Sequence, residues 1–333
     1  MAISNDILSS TLRILLDEEV DNLFRAVPLL QRMKEKGGIE TYQGGQKLDV
    51  PLILSEHSSI TQMSSGYEPV NLAVKDVLRN ATFNWCDFIA PVVITQKEEL
   101  SNRGDRAIVS IAEARMKATM GQLQREVEKQ LVADASSILT ELNTLDGQSS
   151  NTGFFESHAF TSGLQTNVVG GIDKAVFTDF NNQFKSSGGT LALDDMNELY
   201  INTQLYNPMG KATDLIVCSP NYYKAYKDLL QQNERYVDEK VLDGGRMTLL
   251  FGGAQLYPDP FLPKTGATGD DIISAYYLCT DYIKLAFDSE AQFRMDDFEM
   301  ISGYAARSAN IITRLQAYVS HLACQGIHTN AEA

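Results

Sequence analysis

The sequence predicts an α+β fold in which two elements are far longer than usual. Three patterns carry that prediction. Alternating β-type runs, KLDVPLIL and NLAVKDVLRNATFNW, flank a soft polar stretch, SSITQMSSGYEPVNL at 58–72; an unbroken helical period runs from Gly104 to about Leu142; and the remainder mixes short apolar strands with amphipathic helices. With 333 residues and 44% hydrophobic content, the chain can bury a core in one large domain or in each of two ordinary ones.

From the N-terminus, Ser4, Asn5 and Asp6 are candidate caps for a helix over 4–26, with Ile7, Leu8, Leu12, Leu15, Leu16, Leu23 and Phe24 on one face. Such a helix either lies on its own domain or serves as an arm that docks on a neighbour. After the glycines at 37 and 38 the period changes to two: Leu48, Val50, Leu52 and Leu54 alternate with Lys47, Asp49, Pro51 and Ile53. Beyond the polar tip the alternation shifts face near Asp76, which predicts a bulge or kink. A strand from Val70 to Ile89 would reach about 60 Å, against about 20 Å for an ordinary strand. A free two-stranded ribbon leaves an apolar face to water and is at best marginally stable, so the chain's own second domain or another chain must cover it.

From Gly104 onward Ile108, Ile111, Met116, Met120, Leu123, Val127, Leu131, Ile138 and Leu142 form a helical stripe with no proline. A helix of that extent is about 55 Å long and must act as a beam along an elongated domain. Its spacing is too mixed for a coiled coil. Residues 142–180 are rich in Gly, Ser, Thr and Asn and read as loops and short strands near a boundary. A helix follows over 191–206, then a short buried strand in DLIVCSP, then a helix with Ser219 as N-cap and Pro220 at its first position. MTLLFGGAQLYPDP, SAYYLCTDYIKLAFD and NIITRLQAYVSHLACQ are further strands, the last of them returning to the sheet beside the long helix.

Composition narrows the function. A formal charge of −15 disfavours tight binding to a polyanion, which rests on Lys and Arg neutralising phosphates. Cys86, Cys218, Cys279 and Cys324 are far apart with no zinc-type spacing and read as reduced, buried thiols. The first residues lack a basic n-region, and no apolar run nears the roughly 20 residues that span a bilayer, so the expected compartment of synthesis is the cytoplasm. His57, His158, His321 and His328 stand in no HExxH-type constellation, there is no GxSxG, and the glycine pairs fit turns rather than phosphate loops. Asp194 and Asp195 fall in the first turn of a predicted helix, where negative charge complements the dipole. Trp85 reads as a core or interface anchor.

FNWCDFIAPVVITQKEEL (83–100) precedes the long helix and VVGGIDKAVFTDF (168–180) follows it; DLIVCSPNYYKAYKDLL (214–230), RMTLLFGGAQLYPDPFLP (246–263), YYLCTDYIKLAFDSEAQFRM (276–295) and NIITRLQAYVSHLACQGIHTN (310–330) come after. In order and spacing, over essentially the whole chain, these segments resemble the major capsid protein of tailed bacteriophages, the Hong Kong 97-like capsid fold also used by encapsulin shells. The resemblance implies an N-terminal arm over 1–36, an extended β-hairpin loop over 37–95, a peripheral domain with the spine helix over 96–185, a separate axial domain over 186–269, and return strands of the peripheral domain over 270–333. It implies a structural, non-enzymatic virion protein with no cofactor or metal, assembled in the host cytoplasm. Its partners would be itself, as hexamers and pentamers of an icosahedral phage head, with scaffolding, portal and cement proteins, around double-stranded DNA bound without sequence specificity and with no membrane. Isopeptide cross-linking, known in one branch, does not carry over, because no matching constellation is recognisable. The hairpin would be long because it reaches onto the adjacent subunit, giving Leu52, Leu54, Met63, Tyr67, Val74, Phe83 and Trp85 as candidate inter-subunit contacts. The alternatives are an encapsulin-like shell around a protein cargo, a hydrolase with an unrecognised site, and an oligomeric tail or baseplate component.

Overall fold

The computed structural model describes residues 28–55, 60, 62, 77–101, 105–132, 168–207, 211–232, 239–242, 246–259, 262 and 273–331. In chain order these form α1 (Pro28–Glu35), β1 (Ile39–Tyr42), β2 (Lys47–Ile53), β3 (Leu78–Asn84), β4 (Cys86–Thr95), α2 (Gln96–Ser101) and α3 (Asp105–Val132). After residue 167 come β5 (Val168–Val169), β6 (Ile172–Asp173), β7 (Gln183–Ser186), α4 (Leu193–Leu205), β8 (Leu215–Cys218), α5 (Pro220–Gln232), β9 (Glu239–Leu242), β10 (Arg246–Phe251) and β11 (Ala254–Pro258). The last elements are β12 (Ile273–Leu278), β13 (Ile283–Asp288), β14 (Arg294–Met295), β15 (Glu299–Met300), β16 (Ala306–Val319) and β17 (Gly326–Thr329). The mixture is α+β, as the sequence predicts.

β16 organises the first large sheet. Along one edge it pairs antiparallel with β4, from Ala306 opposite Thr95 to Leu315 opposite Cys86. Along the other edge it meets β13, β14 and β15, and β1 lies parallel to β13 at the margin. α3 packs on β4, burying Met116, Met120, Leu123, Val127 and Leu131, five of the nine residues of the predicted stripe. At ~1.5 Å per residue its 28 residues span about 42 Å. Residues 133–142 of the expected helix lie outside the described residues.

The second large sheet has the order β7, β17, β12, β8, β11, β10, β9. Its side chains alternate: Leu215 and Val217 join Tyr276, Leu278 and Ile327 in the core shared with the first sheet, whereas Ile216 and Cys218 face α4 and α5 with Met196, Leu199, Tyr222 and Tyr277. The predicted cap is present, with Ser219 Oγ accepting the Tyr222 N–H at 2.9 Å. The two aspartates stand in the first turn of α4.

Three expectations change. The strand expected from Val70 to Ile89 breaks at Trp85: β3 pairs with β2, and β4 pairs with β16 in the first large sheet. The switch depends on a partner more than 200 residues away, which local alternation does not record. The end of the expected arm is a body helix, since Leu29, Leu30 and Met33 of α1 are fully buried and Arg32 Nε donates to Asp214 Oδ2 at 2.9 Å. Residues 1–27 lie outside the described residues. Finally, residues 270–333 do not all return beside α3: β12 and β17 pair into the second sheet and complete it on one side of β8.

Candidate assembly surface

The β2–β3 ribbon begins with alternating side chains, and the chain's own body takes one of its faces. Leu48, Leu52, Ala81 and Phe83 are buried, and Val50, Leu54 and Trp85 pack half-buried against the same core. The Phe83 ring stacks on that of Tyr318. The turn between β5 and β6 presses on the ribbon: Gly170 accepts the Thr82 N–H at 2.9 Å, and a Cβ there would stand 2.9 Å from the Ala81 Cβ. With φ at +56° this position suits glycine twice over, by conformation and by space. Arg79 adds a third tie, its guanidinium 5.9 Å from the Phe177 ring centroid.

This burial concerns four residues of the expected contact set. Leu52 and Phe83 are occupied by the chain's own core, and Leu54 and Trp85 are partly so. The sequence reads the alternation correctly but not its cover, which β16 and residues 168–180 supply from far along the chain. Met63, Tyr67 and Val74 lie outside the described residues.

The face left open is the opposite one. Ile53 and Leu78 are a direct cross-strand pair, 75% and 59% exposed, so two large apolar side chains stand together in water. Ile89 and Val93 extend apolar exposure along the outer side of β4, and Val176 stands exposed on the turn after β6. The sequence reading missed Ile53, which it placed with Lys47 and Asp49 on the polar side. Two further patches are Ile201, Leu205 and Tyr206 at the end of α4, and Met300 with Tyr304 beside the start of β16. Beneath the ribbon, Leu52, Leu54, Phe180, Ser320 and His321 help to line a cleft of about 220 Å³.

Ionisable groups near these surfaces are paired. Glu98 of α2 accepts from Thr95 Oγ1 at 2.6 Å and from Arg115 of α3, and these hydrogen bonds hold its carboxyl down at about 2. Arg115 also donates to the Val93 carbonyl, fastening α3 to β4. Glu40 accepts from Tyr42 and Tyr318, with Lys284 3.3 Å away; these partners lower its carboxyl pKa against the opposing effect of burial.

One nucleophile and base do meet. Ser187 Oγ lies 2.7 Å from His328 Nε2, although 141 residues separate them. Both are buried, the serine is also hydrogen-bonded to Asp195, and neither lines the cleft under the ribbon. Among the described residues no group of three His, Cys, Asp or Glu side chains is placed to hold a metal ion, and no helix is long and apolar enough to cross a membrane.

Comparison with known proteins places this architecture. No family model matches the sequence, and no curated protein matches it. Among solved structures, the capsid of cyanophage A-1(L) aligns with a TM-score of 0.60 at 10% identity, covering 89% of this chain and 90% of that one. The holo-SrpI encapsulin of Synechococcus elongatus aligns with a TM-score of 0.56 at 11% identity, covering 90% and 88%. The capsid of an empty GTA particle gives 0.56 at 11% identity and 89% of both chains. The likeness spans about nine-tenths of every chain compared, and the chain has the Hong Kong 97-type fold of these shells.

Proposed function

We propose that the chain is a shell subunit that self-assembles into hexamers and pentamers of an icosahedral phage head enclosing double-stranded DNA. The observation that carries this reading is the end-to-end likeness in fold to phage capsids. The exposed Ile53–Leu78 pair supports it, because a ribbon with one face against its own body and apolar side chains of the other in water is suited to a second copy. Repetition of such modest contacts makes the stability of a shell collective, since each neighbour binds only the folded subunit. The net charge of −15 suits a container that does not hold its genome tightly. Scaffolding, portal and cement proteins are its expected partners, the virion its destination and the host cytoplasm its place of assembly. It works without a cofactor and is not an enzyme.

The encapsulin likeness supports a second reading, a shell around a protein cargo. Negative-stain microscopy of the purified protein at high concentration, alone or co-expressed with its genomic neighbours, tests the shell itself. Icosahedral particles, or free hexamers and pentamers, are the expected result, and a monomer under every condition overturns it. Nuclease-protected DNA inside the particles favours the phage head; a co-purifying protein without DNA favours the encapsulin reading.

A further inference from the structure

Five side chains of the second sheet and its helices form one continuous hydrogen-bond chain, buried except at its half-buried Asp195 end. Asp195 of α4, as a carboxylate, only accepts, and Ser187 Oγ donates its single proton to it. His328 Nε2, 2.7 Å from Ser187 Oγ, therefore carries a hydrogen and donates to that oxygen. His328 Nδ1 is then bare and accepts from the Tyr222 hydroxyl of α5 at 3.1 Å, and Tyr222 accepts from Tyr277 of β12 at 2.9 Å. Every donor and acceptor along this path is satisfied once, provided that the imidazole is neutral.

A second proton on the ring breaks that arrangement. Nδ1–H then donates to Tyr222, and one of the two phenol protons loses its acceptor in the interior, where His328, Tyr222 and Tyr277 are all 0% exposed. The charges nearest the ring offer little compensation. α4 contributes Asp195 and Glu198 and β7 contributes Lys185, whose ammonium is 3.3 Å from Asp195 Oδ1 and already counters that charge. From α5 and β12 the facing groups are the neutral phenols, and from β8 the buried Cys218 thiol lies beside Tyr222. Burial accordingly lowers the imidazole pKa to about 4.

We infer that this chain of hydrogen bonds is an acid-operated latch: uptake of a proton by His328 frees β17 from β7 and β12 while the first large sheet stays folded. The locality follows from the partners. β17 lies between β7 and β12, and the bonds of His328 reach only α5 and the segment after β7, none of them belonging to β13 or β16.

Hydrogen exchange of the full-length protein between pH 7 and pH 4.5, corrected for intrinsic rates, tests the latch. Because the ring is neutral in the fold down to about 4 and unfolds to an ordinary 6.5, amides of 326–329 are expected to lose protection on the order of 50-fold by pH 4.5, with 306–319 unchanged. His328→Gln offers Ser187 a donor and Tyr222 an acceptor without binding a proton, and should keep β17 protected over that range. Loss of protection in His328→Gln at the same pH as in the parent, or opening of 306–319 together with β17, overturns the latch. Where His328→Gln does not fold, ring-labelled histidine spectra of the parent decide: one imidazole neutral to below pH 5 and charging as β17 opens supports it, and four imidazoles titrating near 6.5 overturn it.

Discussion

The Phe83 ring lies on the Tyr318 ring, centroids 5.9 Å apart and planes 29° from parallel, so the β2–β3 ribbon is fastened to the end of β16. Tyr318 is itself held, its hydroxyl donating to Glu40 at 2.9 Å. Phe83→Ala leaves a void at a fully buried site and should cost about 3–5 kcal/mol. Thermal or urea unfolding of the unassembled subunit measures it, and a loss under about 1 kcal/mol means that the ribbon root is not seated on the body.

The open face makes the opposite prediction. Ile53→Asp together with Leu78→Asp touches no core and should change subunit stability by less than about 1 kcal/mol while abolishing closed particles. Deleting residues 58–70 should have the same paired outcome, a folded subunit and no assembly. Microscopy and melting curves on the same preparations separate the two effects; particles that still close show that the ribbon is not a contact between copies.

Asp214 joins three segments: it accepts from Arg32 Nε at 2.9 Å, from the Thr280 N–H at 2.8 Å and from Thr280 Oγ1 at 2.6 Å. Removing it leaves the Thr280 N–H and hydroxyl without this acceptor in a largely buried place and leaves the Arg32 guanidinium with Glu35, at 3.2 Å, as its remaining carboxylate. Asp214→Ala should cost about 3 kcal/mol, and Arg32→Ala less, because the remaining carboxylate keeps both Thr280 bonds. Equal losses for the two variants exclude this hub.

Lys174 is fully buried, its ammonium reaching Asn182 Oδ1 at 3.4 Å, and burial lowers its pKa to about 7. The unfolded chain binds that proton up to about 10.5, so between pH 7 and pH 10.5 the unfolded state carries more protons and stability rises with pH from this group. Lys174→Met should raise the melting temperature at pH 7, with the advantage shrinking toward pH 10. An advantage that stays constant with pH rules out a buried ammonium as its source.

Local chemistry was legible in the sequence where one segment decides it. The stripe on α3, the Ser219–Pro220 start of α5, the aspartates of α4 and the burial of Leu215–Cys218 all depend on neighbours a few residues away. The resemblance to shell proteins was legible for a different reason, the order of segments over the whole length. What the sequence does not show is who covers whom. Phe83 and Leu52 have the pattern of an uncovered face, and only the arrival of β16 and residues 168–180 makes them core. The long-range pairing of β4 with β16 turns the chain at Trp85, and that of β7 with β17 brings Ser187 to His328.

β17 sits between β7 and β12, so residues 183–186 have no partner on that side until 326–329 arrive. During synthesis at ~5–20 residues per second, the 140-odd residues between them take on the order of 10 s to emerge. Throughout that interval a growing chain holds an unfinished sheet with bare edges, the hallmark of a sticky intermediate. Completion waits for residue 329 to clear the ribosome, so the second sheet closes late, long after most of its strands have emerged.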